Sequence, residues 1–215
     1  MSKTRKRTNS RYRRTSTGRL VLKRDRAMPR VKKALKRLGA PYDLRHTIKH
    51  SRSYRVGWRR LKDGAHMAWL VARLCDRRET AGHRRLVRTL ARCVAEVRGD
   101  MSPEGVEALQ LAMEYADGAT VRPSALLLAA AKVDEVRGNN EPGNIPALYL
   151  ANVAAENDSE LIARDARIVL NCTLSCLVDR FVDCGCREYA ARVKVVQARF
   201  ADIFVSMYPE PPPLW

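Results

Sequence analysis

The amino-acid sequence specifies an all-α protein: a compact multi-helix bundle of about six to seven helices with a disordered, basic N-terminal arm. Three features point there. Apolar residues recur at helical spacing from residue 64 to residue 207. Clusters of Gly, Pro and Asn punctuate these stretches, and no run alternates in polarity as a strand does. Charge is split along the chain. Residues 1–62 hold 23 Lys and Arg against Asp25 and Asp43, a net of +21, and residues 63–215 hold 18 basic and 21 acidic residues, a net of −3, within an overall +18.

The segment 1–62 is expected to be a largely disordered arm and linker, 63–208 a helical domain and 209–215 a Pro-rich tail. Up to about residue 27 the chain is rich in Arg, Lys, Ser and Thr, and its only large aliphatic cluster is Leu20, Val21 and Leu22. That is too little apolar surface to offset the entropy of ordering. Residues 29–38 form a short helix by pattern: Pro29 suits its first turn, Gly39 its stop, and Val31, Ala34, Leu35 and Leu38 share a face. Residues 41–62 read as a basic linker with Tyr42, Tyr54 and Trp58 interleaved.

The domain's helices follow in order. Residues 64–77 turn Met67, Leu70 and Leu74 inward, and 80–98 turn Leu86, Leu90, Cys93 and Val97 inward, ending at Gly99. Ser102 caps a helix that begins at Pro103 and ends before Gly118, with Val106, Leu109, Met113 and Ala116 inward. Residues 123–137 are apolar nearly all round through Ala125–Ala131, which predicts a buried helix. After the Gly138–Asn144 loop, helices are expected over 146–156, 159–183 and 187–207, the last with Tyr189, Val193, Val196, Phe200, Ile203 and Phe204 on one side.

Several function classes are disfavoured. The longest uncharged run, 142–155, falls short of the roughly 20 apolar residues of a spanning helix, so no integral membrane segment is expected. No apolar stretch follows the basic start as a secretory signal would require, and the six cysteines read as reduced thiols of a cytoplasmic protein. Cys172, Cys176, Cys184 and Cys186 invite a zinc reading, but their spacing matches no common module and they fall among leucines, so separate packed thiols are expected and no metal or other cofactor is implied. His46 and His50 lie four apart in a basic stretch expected to be irregular, where a phosphate-facing or inert role fits better than a metal. No phosphate loop, His-Glu-x-x-His or Gly-x-Ser-x-Gly is present, and all four histidines lie within the first 83 residues, so no catalytic residue is assigned.

The cationic arm carries the functional reading. Lys and Arg on phosphates release condensed counterions, and Arg, Tyr and Trp stack on bases. The candidate nucleic-acid contacts are Arg5, Lys6, Arg7, Arg11, Arg13 and Arg14, then Lys32, Lys33, Lys36 and Arg37, then Arg55, Trp58, Arg59 and Arg60, with Tyr12, Tyr42 and Tyr54 placed for stacking. The competing reading is a solubilising extension. Arg84, Arg88 and Arg92 repeat at i, i+4, i+8 and would either extend the phosphate track or be a solvated face paired with neighbouring carboxylates.

The stretch 84–118, with Ser102-Pro-Glu-Gly-Val-Glu-Ala-Leu109 and Met113-Glu-Tyr-Ala-Asp-Gly118, then Leu127-Leu-Ala-Ala-Ala131 and Ala201-Asp-Ile-Phe204 before the prolines, resembles the alanine-rich helical domain of uncharacterised planctomycete proteins, in patches over 84–213. The resemblance implies an all-helical fold and no catalytic residues. It departs in having fewer alanines and a long basic arm. Together these features lead to the expectation of a non-enzymatic nucleic-acid-associated protein, DNA or RNA, that grips phosphates with its arm. The alternative is a protein-interaction module whose arm meets an acidic protein or an anionic membrane surface.

Overall fold

Three helices, α1 (Met28–Arg37), α2 (Tyr42–Lys49) and α3 (Tyr54–Arg60), occupy the segment expected to hold one short helix and a linker. The computed structural model describes residues 12–14, 20–22, 27–75, 78, 80–136, 141–179 and 186–214. Within residues 1–26 these are two three-residue strands, β1 (Tyr12–Arg14) and β2 (Leu20–Leu22), paired antiparallel with Tyr12 opposite Leu22. The rest of the expected disordered arm lies outside the described residues.

Helices of ten, eight and seven residues are marginal alone and form here because they dock. Val31 and Leu35 of α1, Leu44 and Ile48 of α2, and Trp58 of α3 are sealed from solvent in the same core as Leu70, Leu86, Leu90 and Phe204. The boundary expected at residue 62 therefore separates two charge regimes but not two cores. Gly39, at φ 71°, ends α1 as expected: its N–H and that of Ala40 close onto the carbonyls of Lys36 and Leu35.

Seven further helices follow: α4 (Gly64–Arg73), α5 (Ala81–Val94), α6 (Pro103–Ala116), α7 (Pro123–Glu135), α8 (Asn144–Ala155), α9 (Ser159–Asp179) and α10 (Cys186–Met207). A 3-10 helix, Ala95–Asp100, extends α5. The described residues thus form ten α-helices rather than six to seven. Side-chain caps start several of them: Asp63 Oδ1 accepts from Ala65 N at 2.8 Å, Thr80 from His83 N at 3.1 Å and Ser102 from Gly105 N at 3.2 Å.

The central helix is α8, which packs against α5, α6, α7 and α9. The expectation of a buried helix at 123–137 is corrected: Leu127 and Leu128 of α7 are 53% and 61% exposed. α7 lies at the edge of the bundle on α6 and α8 and buries only Leu126, Ala129, Ala130 and Val133. Its apolar composition reflects small side chains that let it approach Ala108, Ala147 and Ala151 closely. Met113, expected inward, is instead partly exposed at 38%. Among the described residues no helix is long and apolar enough to cross a membrane.

The Pro-rich tail folds back over α3. Tyr208 is buried, its carbonyl accepts from Trp58 Nε1 at 2.9 Å, and Tyr54 donates its hydroxyl to the Pro212 carbonyl at 3.1 Å. Arg59 reaches the Pro209 carbonyl and Arg55 pairs with Glu210. α3 is thereby strapped to the end of α10.

Candidate nucleic-acid interface

The apolar sides of α1 to α3 face the core, so their cations are presented outward. Residues 27–62 hold twelve Lys and Arg against Asp43 alone. On α1, Lys33, Lys36 and Arg37 are exposed and Lys32 half-buried; on α3, Arg60 is exposed. None of these five forms an ion pair among the described residues. Lys36 and Arg37 also sit in the last turn of α1, where the helix dipole favours positive charge.

The other candidates fare differently. Trp58, expected to stack on bases, is fully buried and spends its indole N–H on Tyr208, so it is a core residue. Tyr54 is half-buried with its hydroxyl on Pro212, and burial pushes its phenol well above the ordinary range. Arg55 and Arg59 are solvent-facing but engaged with the tail. Arg13 and Arg14 lie on β1, while Arg5, Lys6, Arg7 and Arg11 lie outside the described residues.

The arginine stripe of α5 serves helix ends. Arg88 Nη2 donates to the Ala116 carbonyl at 2.6 Å, and the same nitrogen pairs with Asp117 at 3.0 Å, at the C-terminus of α6. Arg85 donates to the Met207 carbonyl and Arg92 Nη1 approaches Met207 Sδ at 3.3 Å, at the C-terminus of α10. Arg84 lies over the Tyr115 ring at 5.5 Å. Carbonyls left open at a helix end and the negative end of the dipole both attract guanidinium groups. Arg88 is thus paired with a carboxylate, whereas Arg84 and Arg92 have no carboxylate partner among the described residues.

A feature that sequence reading missed lies on α2. The segment 41–62 was expected to be irregular, yet Leu44 and Ile48 anchor a helix whose other side carries Tyr42, His46 and the C-cap His50 at i, i+4, i+8. Tyr42 is 68% exposed; its ring stacks on His46 at 5.7 Å, and His46 meets His50 at 4.4 Å. The result is an exposed ladder of rings on a basic helix. The signal was present in the four-residue spacing of Leu44 and Ile48.

Of the remaining sequence candidates for chemistry, His83 and Cys176 are buried and Cys172 is half-buried, whereas Cys186 is exposed rather than packed as expected. His83 is sealed from solvent: Nε2 donates to the Val153 carbonyl at 3.0 Å, so Nδ1 accepts from the Tyr115 hydroxyl at 2.7 Å. Burial holds this imidazole neutral, with its pKa lowered to about 4. Cys176 Sγ donates to the Pro142 carbonyl at 3.0 Å, and burial raises its pKa to about 11, while Cys184 lies outside the described residues. Comparison with protein-family models, with curated proteins and with solved structures finds no match for this chain.

Proposed function

We propose that this protein is a non-enzymatic, nucleic-acid-associated protein that holds the phosphate backbone on the basic face of α1 to α3. The observation that carries the reading is the set of exposed cations Lys33, Lys36, Arg37 and Arg60, without carboxylate partners among the described residues, on helices that pack against α2 with its Tyr42–His46–His50 rings. Cations that are not neutralised internally attract a polyanion, and flat rings among them favour bases that can unstack, which points to single strands. The neutral, enclosed His83 fits a core role rather than proton transfer.

The test is equilibrium binding of the full chain to single-stranded and duplex DNA and RNA across salt. The comparison variant carries Gln at Lys33, Lys36, Arg37 and Arg60. Binding should weaken by a power of salt concentration, at about 0.7 per phosphate contact for single strands. The variant should lose both affinity and slope. A truncation through residue 26 leaves the core helices intact and measures what the first residues add. Equal affinity of the fourfold variant, or tighter binding to acidic protein or anionic vesicles than to nucleic acid, would overturn the reading.

A further inference from the structure

An open cleft of about 540 Å³ lies on the helical body where α4 and α9 meet the end of α1. Trp69 and Arg73 line it from α4, Glu160, Arg164, Arg167 and Asn171 from α9, and Gly39 just beyond the last turn of α1. Its size falls within the range of small-molecule sites, roughly 300–1,000 Å³.

The lining is chemically uneven. Three arginines and one carboxylate line the cleft, and the one pairing between them is loose: Arg73 Nη1 stands 3.6 Å from Glu160 Oε2. Arg73 Nε is buried without an acceptor among the described residues. Arg164 spends its Nε on the buried Asp165 at 2.8 Å, and its side chain is 62% exposed. Arg167 is exposed and forms no ion pair among the described residues. Beside these stands Trp69, half-buried against the core.

A multiply charged anion suits three guanidinium groups, whose planar forks match phosphate oxygens two at a time. A flat, apolar ring suits the indole. One ligand class joins both. We propose that this cleft binds a nucleoside monophosphate unit, its base against Trp69 and its phosphate between Arg73, Arg164 and Arg167. The unit is either a free nucleotide or the phosphorylated end of a strand. Glu160 and Asn171 supply an acceptor and an amide at the rim for sugar or base edges. The site belongs to α4 and α9 and stands independently of the phosphate-backbone reading of α1 to α3.

The test uses the full chain at about 0.15 M salt, where exposed charges beyond about 8 Å are screened. Binding of AMP, adenosine and inorganic phosphate is followed by calorimetry and tryptophan fluorescence. AMP should bind one per chain and at least about tenfold more tightly than adenosine or inorganic phosphate. Arg167→Gln, an exposed change that leaves the core intact, should weaken AMP by about tenfold or more. Trp69→Leu should weaken it likewise, and Trp69→Phe should retain most affinity. A short oligonucleotide with and without a 5′-phosphate separates the sources. A gain from the phosphate that Arg167→Gln removes identifies the strand end; AMP binding without such a gain identifies the free nucleotide. AMP held no better than inorganic phosphate, or unchanged by Arg167→Gln, overturns the site.

Discussion

Trp58 and His83 show how a polar atom is accommodated in this core. The indole of Trp58 is fully enclosed and its one donor reaches the Tyr208 carbonyl. Trp58→Ala opens a large cavity and leaves that carbonyl unpaired, and should cost about 3–5 kcal/mol, read as a fall in the urea midpoint. Trp58→Phe fills most of the volume and should cost less. His83 makes stability depend on pH. Its imidazole titrates near 6.5 in the unfolded chain and at about 4 when folded, because burial penalises the cation. Above pH 6.5 both states are neutral there and the contribution is complete. As pH falls from 6.5 toward 4 the unfolded chain takes up the proton and the folded one does not, so stability drops, by up to about 3 kcal/mol at roughly 1.4 kcal/mol per pH unit. His83→Gln should be less stable at pH 7 yet flatten the decline between pH 6.5 and 4. A decline as steep as in the parent protein would assign it to carboxylates instead.

At the level of elements, periodicity worked where a helix has one clear apolar side and failed where burial depends on neighbours. α5 was legible because Leu86, Leu90, Cys93 and Val97 keep one stripe, and Ser102 with Pro103 marked the start of α6. α2 and α3 were not legible, since each is shorter than two and a half turns and contributes only two buried large side chains or fewer. Their stability comes from docking, which no local pattern records. α7 and α8 look alike in sequence, both rich in Ala and Leu, and only the packing reveals that α8 is central and α7 lies at the edge. The site divided the same way. Charge marked a cationic surface near α1, but the fates of Trp58, Arg55 and Arg59 depend on a tail about 150 residues away. That tail yields its own prediction. Removing residues 209–215 deletes the Pro209, Glu210 and Pro212 contacts to α3. The expected cost is about 1–2 kcal/mol, since two of the three contacts are partly solvent-exposed. Amide exchange should speed up over residues 54–60 and stay unchanged in α8. A uniform change across the chain would mean that the strap supports the whole fold.

For the whole molecule, the net charge of +18 conceals two populations of cations that sequence alone does not separate. One is exposed on α1 and α3 without carboxylate partners among the described residues, as at Lys33, Lys36, Arg37 and Arg60. The other makes contacts within the fold, as at Arg84 over the Tyr115 ring, Arg88 at the end of α6 and Arg92, itself exposed, beside the Met207 sulfur at the end of α10. The same substitution should therefore act in different ways. Gln at the first four should leave thermal stability within about 0.5 kcal/mol, as for ordinary surface changes. It should lower the dependence of log affinity on log salt by up to about 3.6 for duplex, at about 0.9 per lost phosphate contact. Gln at Arg84, Arg88 and Arg92 should leave that slope unchanged and lower stability by about 1–3 kcal/mol, through a lost cation–ring contact and two lost helix-end interactions. Thermal melts and salt titrations on the two variants, run side by side, check both halves. A slope that falls with the α5 variant would return those arginines to the phosphate track. A melting temperature that falls with the α1 and α3 variant would mean that its cations hold the fold together rather than face a partner.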